Sequence, residues 1–97
     1  MMVKAFDTVA DRTIIFVGGE IDGRAAPTLL AETNRAVHDG RREVIVDLYN
    51  VTRIDSVAVS ALVQAGRLAR RNGRAFSVEC ARGQPARLLS GAAPLLG

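Results

Sequence analysis

The sequence predicts a single α/β domain, in which a mixed β-sheet carries helices packed mainly on one face, in the order ββαβαβα. Short runs rich in β-branched residues alternate with longer segments whose apolar residues recur at helical spacing. Such alternation is typical of right-handed crossovers onto a partly parallel sheet. The 97 residues, 48% hydrophobic and 24% charged, suffice for one modest core, so residues 1–97 are interpreted as one domain.

The first half of the chain is predicted to form a hairpin followed by a helix. Residues 3–9 alternate imperfectly between apolar and polar, and residues 13–17 are a β-branched and aromatic run. Residues 20–23, Glu-Ile-Asp-Gly, are predicted to be a loop. A helix is expected near residues 25–38, with Pro27 in its first turn, where proline is tolerated.

The central segment is predicted to be a buried strand, a connection and a second helix. Residues 43–48 form a continuous apolar run of the kind found in strands covered on both faces. Residues 49–54 are interpreted as a connection anchored by Val51 and Ile54. In residues 57–71 the apolar face contains many small side chains, which predicts a helix that lies close to the sheet.

The chain is predicted to close with a strand over residues 75–80, at most a short helix over 85–89, and a small-residue tail over 90–97. The predicted sheet has four strands, with both long helices on one side. Its core is aliphatic, because the sequence has only four aromatic residues. The predicted core includes Val44, Val46, Leu62 and Phe76.

The composition excludes several classes of function. A single His38 and a single Cys80 leave no Cys/His zinc set, so no metal site is predicted. There is no G-x-S-x-G motif, and the glycine spacing of a phosphate-binding loop is followed by Arg24-Ala25 where Lys and Ser or Thr are required. We therefore expect no enzyme activity and no cofactor.

The same sequence predicts a cytoplasmic protein that does not insert into a membrane. No apolar run approaches the ~20 residues of a membrane-spanning helix, and the N-terminus lacks the ~7–15-residue apolar core of a signal peptide. The lone cysteine fits a reducing compartment.

A net charge of +3 and a pI near 10 are compatible with nucleic-acid binding. Four arginines, Arg67, Arg70, Arg71 and Arg74, cluster near the end of the second predicted helix. Positive charge at that end also complements the helix dipole, and aromatic stacking residues are scarce. We interpret the cluster as a solvated helix face or a surface for a protein partner, and predict no nucleic-acid partner.

Functional residues are expected where strands end, because ligand and modification sites of open α/β sheets lie beyond the carboxyl ends of the strands. Two segments qualify, Gly19–Asp22 and Ile54–Ser56. Asp55 or Ser56 could simply cap the following helix. A hydroxyl at that place could also carry a phosphate, because the unpaired amides and the dipole of a helix N-terminus favour negative charge.

Three segments resemble the STAS domain family, named for sulfate transporters and anti-sigma-factor antagonists. Residues 44–56, Val-Ile-Val-Asp-Leu-Tyr-Asn-Val-Thr-Arg-Ile-Asp-Ser, are similar to the family's central strand and its Asp-Ser pair at a helix start. Residues 19–22 resemble its Gly-Glu-Leu-Asp, and residues 67–73 resemble its second-helix exit. The resemblance covers roughly residues 10–90, and the order of elements agrees.

The resemblance implies a binding protein that is switched by phosphorylation. In the bacterial antagonists, a serine kinase that is also the anti-sigma factor phosphorylates the serine after the aspartate, and here that serine is Ser56. Unphosphorylated antagonist binds the kinase and frees the sigma factor, whereas phosphorylated antagonist is released. The partner-binding residues implied are Asp22, Asp55, Ser56, Val57, Ala58 and Val59. A monomer or a weak dimer is expected.

The sequence departs from the family after the phosphoacceptor and at the C-terminus. Val57-Ala58-Val59-Ser60 replaces the common Ser/Thr-Gly-apolar-Gly, which removes a second hydroxyl. The C-terminal part is shorter than usual, because the family usually adds another strand and a longer final helix. An alternative function is the STAS subunit that docks on the ATPase of a phospholipid-transport ABC complex, which needs the surface around Ser56 but not its hydroxyl.

Overall fold

A mixed four-stranded sheet forms the centre of the molecule, with strand order β1-β2-β3-β4. β1 (Met2–Asp7) runs antiparallel to β2 (Arg12–Ile21), and β3 (Glu43–Ile54) and β4 (Ala75–Glu79) continue the sheet in parallel. These observations come from a computed structural model that describes the backbone of residues 1–96 and the side chains of residues 1–92. The predicted order ββαβαβα and the predicted mixed sheet are confirmed.

Three helices connect or follow the strands. A short 3₁₀ turn (Gly23–Ala25) leads into α1 (Ala26–His38), α2 (Ser56–Arg71) joins β3 to β4, and α3 (Gly83–Leu96) follows β4. α1 and α2 pack against each other over one face of the sheet, as predicted, and their buried residues join one core cluster with those of β2 and β3. None of the helices among residues 1–96 is long and apolar enough to cross a membrane.

The core is aliphatic, as predicted. Val44 and Val46 of β3 are fully buried, and Leu62 of α2 is 1% exposed. Phe76 of β4 is half-buried and packs against the edge of the cluster. α2 can lie this close to β4 because Gly66 faces Phe76, where an added Cβ would stand 3.0 Å from Phe76 Cδ2.

Two predictions about strand ends were wrong, because β2 and β3 both run further than the sequence indicated. Residues 20–21 continue β2, and residues 49–54 continue β3 instead of forming a connection. The two strands remain paired beyond Gly18–Gly19, with a shift of register on either side of these two glycines. Gly19 has φ +86°. That conformation costs a glycine little, so the strand absorbs an irregularity without ending.

The prediction for the C-terminus was also wrong, because α3 is a helix of 14 residues where at most residues 85–89 were expected. Pro85 and Leu89 are buried and Ala92 is half-buried, a spacing that places all three on one helical face. Leu89 and Ala92 contact the core cluster, which stabilises the small-residue stretch that follows residue 89. Gly97, predicted as the end of the tail, lies outside the described residues.

Candidate functional site

The two segments singled out in the sequence meet at the ends of β2 and β3. Ile21 and Ile54 are register partners, and the backbone amide of Asp55 donates a hydrogen bond to the Ile21 carbonyl oxygen at 3.1 Å. The chain turns into a helix immediately after each strand, so Asp22 and Asp55 line the same pocket of about 210 Å³. The expected convergence of the two aspartates therefore follows from the parallel pairing of their strands.

Asp22 is held in place by its neighbour Arg24. Its carboxylate accepts the Arg24 backbone amide at 2.9 Å and caps the 3₁₀ turn, and the guanidinium of Arg24 contacts both carboxylate oxygens at 2.8–3.0 Å. The hydrogen bonds from this guanidinium, with that from the amide, lower the pKa of Asp22 below its ordinary value. Asp22 is therefore an ionised carboxylate whose charge Arg24 partly neutralises.

Asp55, and not Ser56, caps helix α2. Its Oδ1 accepts the Ala58 backbone amide at 2.8 Å, and its backbone is extended as an N-cap residue requires. Ser56 is consequently the first helical residue, exposed, with its hydroxyl not needed for the cap. The sequence allowed either residue to cap the helix. In the structure Asp55 forms the cap, and Ser56 presents an exposed hydroxyl.

The three residues after Ser56 differ in how far they are exposed. Val57 is 58% exposed, whereas Ala58 and Val59 are 0% and 9% exposed and belong to the core cluster. The accessible part of the predicted partner-binding set is therefore Asp22, Asp55, Ser56 and Val57. Ala58 and Val59 support the site from below by fixing the first turn of α2 on the core.

Val57 lies directly against Gly23, which sequence reasoning did not identify as a site residue. A Cβ added to Gly23 would stand 2.6 Å from Val57 Cγ1, closer than two carbon atoms can approach. The contact joins the 3₁₀ turn after β2 to the first turn of α2. No sequence signal could have identified it, because Gly23 also suits an ordinary turn.

A second contact missed from the sequence comes from α3. The Gln84 side chain donates from Nε2 to the Ile54 carbonyl oxygen and accepts the Ile54 amide at Oε1, both at 2.9 Å. A side-chain amide thereby completes the hydrogen bonding at the end of β3, where β4 no longer provides a partner. Ile54, which precedes the Asp55-Ser56 pair, thus lies between β2 on one side and Gln84 of α3 on the other.

The pocket beside Ser56 contains mixed charges. In addition to the two aspartates, its lining includes Glu20, Arg24 and Arg53. Among residues 1–92, no group of three or more His, Cys, Asp or Glu side chains could hold a metal ion. The described residues at these strand ends therefore present carboxylates, the Ser56 hydroxyl and the Val57 side chain at the surface.

The arginine cluster lies near the end of α2 and just after it. Arg67 follows Ser56 by about three helical turns, and it lines a groove of about 540 Å³ between α1 and α2 together with Arg71. Leu30, Ala31 and Leu68 also line that groove. The absence of a nucleic-acid partner stays a prediction.

We expect Gly23→Ala to destabilise the protein by about 1–3 kcal/mol, because the new methyl group collides with Val57 in a packed turn. Val57→Ala in the same chain should restore much of that loss, since it removes the colliding atom. Urea unfolding of the two single variants and the double variant measures the coupling. Additive effects of the two substitutions would contradict the contact.

Solved structures with the same fold include anti-sigma factor antagonists. One from Mycobacterium paratuberculosis has 26% identity and a TM-score of 0.76, over 97% of this chain and 78% of that one. SpoIIAA of Bacillus, solved in phosphorylated form, has 16% identity and a TM-score of 0.74, over 97% and 85% of the two chains. Its unphosphorylated form has 14% identity and a TM-score of 0.75, over 92% and 82%.

The fold also occurs as a part of larger chains. In the structure of Mglu the match has 24% identity and a TM-score of 0.69, covering 86% of this chain but only 20% of that one. Comparison with curated protein sequences gives no match. The family model described as STAS domain matches residues 2–93, nearly the whole sequence, so the resemblance first seen in three short segments extends over the entire fold. The chain belongs to the STAS domain family.

Proposed function

We propose that this protein is an anti-sigma-factor antagonist that binds an anti-sigma factor with serine kinase activity and is released when Ser56 is phosphorylated. It acts in the cytoplasm as a substrate and binding partner, without catalysis of its own. Its output is transcriptional, because the anti-sigma factor that it occupies cannot hold a sigma factor. The exposed Ser56 hydroxyl at the start of α2, outside the capping role, is the observation that carries the proposal.

The position of Ser56 suits a kinase substrate. It follows the end of β3 directly, where Asp55 and Gln84 fix the backbone, so the hydroxyl is presented on a rigid support. A phosphate there would stand at a helix N-terminus, whose dipole and unpaired amides stabilise negative charge. Phosphorylation therefore need not unfold the site, and the change is confined to the surface that the partner meets.

The charge around Ser56 supports release of the partner. A phosphate adds about −1.5 to −2 charges beside Asp55, at a pocket that Asp22 also lines. Arg24 and Arg53 offset part of the negative charge of this pocket, but a kinase surface matched to the unphosphorylated site would still face the added charge of the phosphate. Burial of that charge without new cationic partners is costly.

Val57 would give the proposed contact with the kinase an apolar centre. Its side chain is 58% exposed although Gly23 supports it from below, so it projects beside Ser56. The second hydroxyl common in the family at this place is absent, which leaves Ser56 as the single acceptor in the first turn of α2.

The test maps phosphate on protein purified from its native cells and on protein incubated with its candidate serine kinase and ATP. We expect one phosphate, located on Ser56 by peptide mass spectrometry, and none on Ser56→Ala. Ser60→Ala is the matched control, because Ser60 is an exposed serine one turn further along α2. Phosphate at another residue, or none in either sample, would contradict the proposal.

A further inference from the structure

The face of the sheet opposite the core carries an apolar cluster that α1 and α2 leave uncovered. Val3 and Ala5 of β1 pack against the core, so Lys4 and Phe6 lie on the other face. Phe6 is 55% exposed, and its ring meets that of Phe16 edge to face at 5.7 Å between centroids. Large apolar side chains on an open sheet face indicate an interaction surface.

The strand register arranges this face in two rows. The first is apolar, because exposed Phe6 pairs with Ile14 and Ile14 pairs with Ile45, which is only 9% exposed. The second runs Lys4, Phe16, Asp47 across the same three strands. Phe16 thus lies on β2 between a cation on β1 and a carboxylate on β3.

Lys4 and Asp47 lack partners for their charges within the described part of the chain. Neither occurs in an ion pair there, although the Asp47 carboxylate accepts the Tyr49 backbone amide at 2.9 Å and also shares a side-chain hydrogen bond with the Cys80 thiol. Their strands are separated by β2, about 9–10 Å apart in total, and the Phe16 side chain lies between them. The row is therefore positive at one end and negative at the other.

This pattern is complementary to itself. A two-fold axis along β2, placed between two facing copies, keeps β2 over β2 and exchanges β1 with β3. Lys4 of each copy then lies over Asp47 of the other, and Phe6 lies over Ile45. Ile14 and Phe16 meet their own counterparts at the axis, as residues of a two-fold interface do.

We infer that this open face binds a second copy of the chain, giving a two-fold dimer with the sheets stacked face to face. The stacked sheets would lie about 10 Å apart, the usual distance in β-sandwiches. Arg12, the next residue of this face along β2, would meet its own counterpart at the axis, and its ion pair with Glu43 at 2.9 Å offsets the positive charge there. Ser56 stays accessible, because its site lies beyond the strand ends.

The expected dimer is weak. Three strands with three outward residues each cover only a few hundred Å² per copy, below the ~800 Å² of a standard interface. We expect dissociation constants in the range of about 10–100 µM, equivalent to about 6 kcal/mol. The assembly should therefore depend strongly on concentration.

Sedimentation velocity between about 5 and about 500 µM spans that range and tests the inference. The wild-type protein should shift from monomer to dimer, and Lys4→Glu should weaken the dimer about tenfold, because two ion pairs become repulsive at once. Asp47→Lys should do the same, and Lys4→Glu with Asp47→Lys should restore the wild-type constant. Arg71→Glu is the matched control, since it changes the net charge equally on the helical side.

Phe6→Asp provides a second variant that should fold, because Phe6 is exposed, and it should abolish the dimer. Circular dichroism melting verifies that each variant is folded, which matters most for Asp47 because of its bond to Tyr49. A protein that is monomeric at all concentrations overturns the inference. So does a dimer that withstands Lys4→Glu and Phe6→Asp, or one that Arg71→Glu weakens equally.

Discussion

Ser56→Ala is expected to form a complex with the partner kinase that ATP does not dissociate, and Ser56→Asp is expected to bind the same kinase at least about tenfold more weakly than wild type. The alanine variant lacks only the hydroxyl that accepts phosphate. It should fold normally, because Asp55 supplies the helix cap. We expect its cost in stability to stay within about 0.5 kcal/mol.

The aspartate variant adds one negative charge next to Asp55, at a pocket that already contains Asp22. It carries less charge than a phosphate, so its effect should be smaller than that of phosphorylation. Isothermal titration calorimetry with the kinase, with and without ATP, measures the affinities of wild type, Ser56→Ala and Ser56→Asp. Equal affinity of wild type, Ser56→Ala and Ser56→Asp would contradict the switch and favour the docking subunit of an ABC complex.

Ser60→Ala and Ser60→Asp are the controls for surface charge on this helix. Ser60 is exposed on α2, four residues after Ser56, whereas Ser56 directly follows Asp55 of the pocket lining. If charge anywhere on the helix weakened the complex, Ser60→Asp would act like Ser56→Asp. We expect it to bind within about twofold of wild type, because Ser60 lies one helical turn further from Asp55 and from the proposed contact surface around Ser56.

The order of the elements could be predicted from the sequence because apolar residues recur at different intervals in strands and in helices. The run at residues 43–48 is too short and too β-branched for a helix, and the spacing of Leu62, Gly66 and Ala69 fits only a helix. The ends of the strands could not be predicted in the same way. Gly18–Gly19 resembles a strand stop in sequence, and only the pairing with β3 makes it a bulge.

The candidate site, like the fold, could be predicted from the sequence only in part. The convergence of Asp22 and Asp55 follows from topology, because each ends a strand and the two strands are parallel neighbours. The support from Gly23 and Gln84 could not be foreseen, because it depends on contacts between residues 23 and 57 and between residues 54 and 84. Such contacts are set by the packing of helices, which local sequence patterns do not specify.

Leu62→Ala is expected to have the largest effect on stability, a loss of about 2–5 kcal/mol in the free energy of unfolding. Leu62 is 1% exposed in the middle of α2 and belongs to the core cluster of β2, β3 and the helices. The substitution removes buried methyl groups and leaves a cavity that close-packed neighbours fill only in part. Since domains of this size are stable by only about 5–15 kcal/mol, the loss is a large share of the total.

Urea unfolding followed by circular dichroism measures this loss, and Gln64→Ala is its matched control. Gln64 lies on the same helix but is exposed, so its replacement should change stability by no more than about 0.5 kcal/mol. A similarly small loss for Leu62→Ala would mean that α2 presents another face to the sheet. Ser56 and Val57 would then not lie where they do, since the same helical rotation sets which residues of its first turn face outward.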